Sequence, residues 1–294
     1  AMLEVTALNR PEQAARLYSA ILDWDEFNRD ALLYLEEYHR SQESFEQLAG
    51  ILEKLIGIET EPEARLSRTL TLARLYIGDY PDAKLARRWW EELQHTPEAR
   101  LEALAHLVDI YEDGEEWELL ADVLLEQQED VDDEVEQADA VRRLAALHEE
   151  RLDNLEEAFR WYGRLVELTP DDLSALEGWK RCALQLEDWE ALAQADDKLL
   201  SVVSEEARPE LQRELTGLLI ERLGRKEEGL EHLRVLLLES PVPEDLRMMA
   251  MGMLGDDDIG FDVSLALEPV LEDALAWDEL ATLYDMQLGS IPEP

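Results

Sequence analysis

Cysteine occurs once in the 294 residues, at Cys182, so no internal disulfide can form. Glycine (13) and proline (11) are scarce, and no alternating Val/Ile/Thr run reads as a strand. Lysine is confined to Lys54, Lys84, Lys180, Lys198 and Lys226. No membrane span and no signal peptide is visible, which points to a cytoplasmic location. Ala1–Met2 reads as a tag scar, so a native targeting segment could be missing. What fills the chain instead is Leu, Ala, Glu and Arg, a mixture that favours helix because straight side chains lose little rotamer freedom there. With 46% apolar residues the chain is not disordered, in spite of its charge.

That charge is 27 − 71 = −44. Such a surface repels phosphate backbones and anionic lipid, which argues against nucleic acid and membrane as partners. Three readings remain: a solvated surface that keeps a long helical array in solution, adaptation to salt in a lysine-poor acidic chain, or a basic protein partner.

One motif organises the sequence. Aromatic-x-x-Leu-Ala recurs as Phe45–Leu48–Ala49, Trp117–Leu120–Ala121 and Trp189–Leu192–Ala193, with the aromatics 72 residues apart. A fourth copy, Trp277–Leu280–Ala281, follows after 88. The register holds elsewhere: Ala14, Ala86 and Ala158; Tyr18, Trp90 and Tyr162; Ala31, Ala103 and Ala175, each followed by leucine. A fixed long period marks units that cannot bury an apolar face alone and stack on their neighbours. Seventy-two residues suit two antiparallel hairpins, or four helices, per unit. The expected units are 1–60 (truncated), 61–132, 133–204 and 205–294 (expanded and irregular), all within one solenoid spanning 1–294.

Within the third unit the apolar steps predict helices near 137–151, 155–168, 171–186 and 188–202. Thr169–Pro170 resembles an N-cap followed by proline at the first helical position, and Thr96–Pro97 repeats the signal. In the fourth unit Gly229 replaces the aligned alanine and Leu233 the aromatic. There Gly255–Asp256–Asp257–Asp258–Ile259–Gly260 breaks the helical texture and is expected to hold most of the 16 extra residues, making this stretch the place to look for something specific. Gly57 aligns with Gly289 and Pro62 with Pro294, so the chain reads as a segment of a longer array, or as one that closes its end on another chain.

Ala158, Tyr162, Leu165 and Pro170 have the spacing of the second half of a tetratricopeptide (TPR) repeat, and Ala86, Trp90, Leu93 and Pro97 match it in part. The chain thus resembles degenerate TPR arrays of large bacterial proteins. The resemblance implies an all-α, right-handed solenoid of stacked antiparallel helix hairpins, a superhelix whose concave groove binds peptides or protein elements. The basic carboxylate clamp of that family is not found in this sequence.

Nothing in the sequence argues for catalysis. The histidines His39, His95, His106, His148 and His232 form no His-x-x-x-His or His-Glu-x-x-His pair, and one cysteine cannot build a zinc cluster. Cys182 takes the position of Tyr38 and Ile110 and reads as small core. Asp256–Asp257–Asp258 with Gly260 and Asp262 faintly suggests a calcium loop but misses the alternating ligand pattern. The aromatics read as packing: Trp90 and Trp117 recur with the period, Trp89 and Trp161 align with Leu17, and Trp179 replaces Leu35 and Leu107, leaving no aromatic that asks for a ligand. The sequence therefore predicts a non-enzyme with no cofactor, metal or catalytic residue. It acts as an interaction scaffold for a protein or peptide, with acidic rims steering a basic one. The alternative is a regulatory or sensor module of a larger enzyme or signalling protein whose catalytic part is encoded elsewhere.

Overall fold

The computed structural model of this chain describes residues 10–238 and 242–289. These form sixteen α-helices and no strand. The first seven are α1 (Pro11–Leu22), α2 (Arg29–Ser41), α3 (Phe45–Ile58), α4 (Pro62–Ile77), α5 (Ala83–Leu93), α6 (Arg100–Asp113) and α7 (Trp117–Asp130). Then come α8 (Glu134–Glu150), α9 (Leu155–Leu168), α10 (Leu173–Gln185), α11 (Trp189–Val202) and α12 (Arg208–Gly217), the last running on into a π-helical turn over Leu218–Arg222. The series ends with α13 (Lys226–Leu237), α14 (Glu244–Met253), α15 (Gly260–Asp273) and α16 (Trp277–Gly289). None is long and apolar enough to cross a membrane. The chain divides into two compact units, Ala1–Ala140 and Val141–Pro294, with the boundary inside α8. Ala1–Met2 and the aligned Pro294 lie outside the described residues.

From α1 to α7 each helix packs on the next, and so does each from α9 to α13. This is the stacked-hairpin, all-α arrangement that the repeat requires. The layers between helices are filled by Leu32, Leu52, Leu72, Trp90 and Leu104 in the first unit and by Leu144, Leu165, Leu176, Leu233 and Leu267 in the second, all essentially without solvent contact. Each such side chain contributes roughly 1.5–3 kcal/mol of burial. Small residues let the helices approach: Gly178 of α10 lies so close to Tyr162 of α9 that a Cβ there would stand 2.4 Å from the ring. Cys182 is free and fully buried, and burial pushes its thiol up to about 11, so it is an inert core group.

Several helices start on carboxylate or amide caps. Asn28 accepts from the Ala31 N–H (3.2 Å), Asp82 from Lys84 and Leu85, Asp172 from Ser174 and Ala175, and Asp188 from Ala191. The Thr-Pro signals are corrected here. Thr169 ends α9, its hydroxyl donating to the Leu165 carbonyl, and α10 starts three residues later on Asp172. Likewise α6 begins at Arg100, beyond Thr96–Pro97. The Asp172 carboxylate accepts two N–H groups at the start of α10, which the Thr169 hydroxyl does not.

The 72-residue beat is written into the backbone. Glu43, Glu115 and Glu187 adopt left-handed φ values of 53°, 53° and 56°, each two residues before the recurring aromatic, and Leu275 (54°) does so before Trp277. In all four turns the next N–H closes on a carbonyl five residues back: Ser44 on His39, Glu116 on Tyr111, Asp188 on Ala183 and Ala276 on Leu271. This is a Schellman-type closure made without glycine.

The 16 extra residues are not a loop. They are accounted for largely by a complete helix, α14, and α13 packs directly on α15 with α14 set against α15. Its sequence, Glu-Asp-Leu-Arg-Met-Met-Ala-Met-Gly-Met, buries Leu246 and Ala250, so the segment is helical although it carries none of the repeat's aromatics. The Gly255–Gly260 stretch is only the turn into α15.

Candidate interaction surface

Many of the arginines and lysines bind a carboxylate on a neighbouring helix or at its end, often the next-but-one helix in the chain. In the first unit Arg29 of α2 reaches Glu59 after α3, Arg74 of α4 grips Glu102 of α6 through two 2.7 Å bonds, and Arg100 of α6 binds Asp130 and Glu126 of α7. In the second unit Arg142 of α8 meets Asp172 (2.9 Å), Arg181 of α10 is bidentate on Glu149 of α8, and Lys180 of α10 meets Glu214 of α12 (2.7 Å). Arg213 of α12 meets Asp245 of α14 (2.7 Å), and Lys226 of α13 meets Asp256 and Asp258 at 2.8 Å each. Half-exposed pairs of this kind are worth ~0–1 kcal/mol each, so they fix the register between hairpins more than they supply stability.

Among the described residues three carboxylates of such ion pairs are buried: Glu36, which takes Arg40 and Arg68, and the more enclosed Glu59 and Asp196. Glu59, with a side chain 1% exposed, takes Arg29 and Arg68 together with the N–H groups of Thr60 and Glu61. The Glu61 N–H is the chief cause that holds its carboxyl below the ordinary value, with Arg29 adding to it against the opposing effect of burial. Asp196, 2% exposed, faces the Lys180 ammonium at 2.9 Å. Burial raises its carboxyl in spite of that partner.

Many of the cations are thus engaged in holding neighbouring helices together, and carboxylates outnumber cations by 71 − 27 = 44. The acidic Asp256–Asp258 turn belongs to the same scheme. Lys226 sits between its carboxylates, and Asp256 caps the Asp258 and Ile259 N–H groups. Among the described residues no group of three or more His, Cys, Asp or Glu could hold a metal ion. His148 is half-buried, and burial lowers its pKa.

Two cavities lie in the second unit. One of about 810 Å³ is bounded by α13, α14 and α15, with Leu237, Leu265, Pro269 and Val270 as apolar wall and Arg234 and Arg247 as cations. It sits where the helix α14 is inserted. Another, of about 460 Å³, lies among α10, the end of α11 and the start of α12. Its floor is Leu199, Val203 and Leu211, Leu184 stands at its lip, and its rim carries Glu177, Lys180, Arg181, Glu210 and Glu214. Both volumes are in the range of ligand pockets, about 300–1,000 Å³.

The expectation that every aromatic is core needs correction. Trp89 and Trp90 are buried, but the recurring Phe45, Trp117 and Trp189 open their helices half-buried, with the leucine three residues on as the buried member. Trp277 is exposed, and Trp24, in the turn after α1, is 94% exposed beside the half-exposed Phe27. Sequence period carried no information on Trp24, because nothing in the later units aligns with it as an aromatic. The cavities were equally invisible, since their linings come from three helices that the sequence separates.

No protein-family model matches the chain, and no curated protein matches it. Among solved structures the chain is similar to Naa15/Naa10 bound to HypK-THB, at 17% identity and a TM-score of 0.45, over 98% of this chain and 45% of that one. It therefore spans less than half the length of that relative. The C-terminal part of a TPR repeat-containing protein from Cytophaga hutchinsonii follows at 11% identity and a TM-score of 0.39, over 82% of this chain and 95% of that one. PilF of Pseudomonas aeruginosa is similar at 17% identity and a TM-score of 0.35, over 76% and 97%.

Proposed function

We propose that this chain is a non-catalytic protein–protein interaction scaffold. It is read as a TPR-like array, with units 61–132, 133–204 and 205–294 after a partial first unit 1–60, that offers an acidic groove to a protein or peptide partner. The observation that supports this reading is the division of labour among charges. Many arginines and lysines are engaged between helices, and carboxylates outnumber cations by 71 − 27 = 44, so the outward field is dominated by negative charge. A field of one sign raises the encounter rate with an oppositely charged partner and suppresses others. The partner is accordingly basic.

The test is the salt dependence of partner retention. A partner recovered from the native organism on immobilised chain should elute progressively as salt rises from about 0.1 M toward about 1 M, where the screening length falls to roughly 3 Å. Retention that is the same at both ends would sink the electrostatic part of the reading.

A further inference from the structure

The geometry points to the cavity among α10, α11 and α12 as the docking site for a protein segment that carries an aliphatic side chain flanked by lysine or arginine. This rests on the scaffold reading and names the chemistry that the site accepts. Three observations carry it.

The first is shape and polarity. Leu199 and Leu211 are buried at the base, Val203 is half-buried, and Leu184 stands 52% exposed at the lip. A space of about 460 Å³ over such a floor suits one or two aliphatic side chains. The second is the arrangement of the walls. Glu177, Lys180, Arg181 and Leu184 recur at helical spacing along one face of α10, and Glu210, Leu211 and Glu214 do so on α12. A bound segment would thus run between two charged stripes.

The third is the state of those charges, and it decides the sign. Both cations of the rim are already saturated. Lys180 holds Asp196 at 2.9 Å and Glu214 at 2.7 Å, and Arg181 holds both oxygens of Glu149. Glu177 makes no ion pair, and Glu210 has only Arg213 at 3.8 Å, itself held by Asp245 at 2.7 Å. A ligand carboxylate therefore finds no open cation in the rim, whereas a ligand cation finds Glu177 and Glu210 next to the apolar floor. An acidic or a purely polar segment is rejected by the same arrangement.

Three fluorescent peptides of equal length test this on the whole chain: one alternating lysine and leucine, one alternating lysine and serine, and one alternating glutamate and leucine. The lysine–leucine peptide should bind at least about tenfold tighter than either of the others. Leu184→Asp should abolish that preference; Leu184 is exposed, so the helix retains its packing, and circular dichroism checks the fold. Glu177→Lys with Glu210→Lys should weaken the lysine–leucine peptide and admit the glutamate–leucine one. Equal binding of the two lysine peptides, an unchanged preference in Leu184→Asp, or no binding at all overturns the assignment. Any of these leaves the scaffold reading standing on its own salt test, which does not involve the cavity. Partner retention that is independent of salt strikes that reading and leaves the peptide preference as measured.

Discussion

Leu275 combines a left-handed φ of 54° with a side chain 65% exposed to solvent. An L-residue in that conformation costs roughly 1–2 kcal/mol, which glycine avoids. Leu275→Gly is therefore expected to stabilise the chain by about 1 kcal/mol after the entropy of the more flexible unfolded state is counted, read as a higher urea midpoint with an unchanged slope. A lower midpoint would show that Leu275 makes contacts worth more than its strain. The same residue shows what the sequence hides. A turn that closes through left-handed backbone is normally announced by glycine or asparagine, and here glutamate and leucine occupy it. The recurrence of Phe45, Trp117 and Trp189 was legible, and the backbone device two residues ahead of each was not.

At the level of helices, Glu59 ties α2, α3 and α4 together. Its carboxyl lies below the ordinary 4.5 because of the N–H of Glu61 and the Arg29 guanidinium. A depressed folded value means that the stabilisation is complete above the unfolded value and is lost as pH falls through the folded one. The gap in stability between the wild type and Glu59→Gln should accordingly be full at neutral pH and shrink below about 4.5. A gap that stays constant across that range in denaturant titrations would contradict the assigned role. Helix positions themselves were largely readable. The apolar steps predicted 155–168, and α9 is Leu155–Leu168; α8 began three residues earlier than expected, at Glu134. Helix α14 was missed because its methionines carry neither the alanines nor the aromatics of the repeat and lie beside a glycine–aspartate turn. The Arg–carboxylate pins were missed because partners about 30 residues apart leave no local pattern.

For the molecule as a whole, two electrostatic effects compete. The pins between hairpins weaken as salt rises, while the mutual repulsion of 44 surplus charges is relieved. Close, partly buried pairs are screened much less than widely spaced exposed charges. The thermal midpoint is therefore expected to rise between about 0.1 M and about 1 M salt; a fall, seen by circular dichroism, would show that the pins dominate. The stacked helical class followed from the period and the composition, whereas the placement of the cavities needed the three-dimensional neighbours of α10 and α12. The way cations are spent has one more consequence, for chemistry done on the protein. Lys180 and Lys226 are each clasped by two carboxylates and Lys54 lies 3.9 Å from Glu26, while Lys84 and Lys198 are exposed and hold no ion pair. An acylating dye used sparingly is therefore expected to prefer Lys84 in one compact unit and Lys198 in the other over Lys180 and Lys226, whose carboxylate clasps hold them protonated.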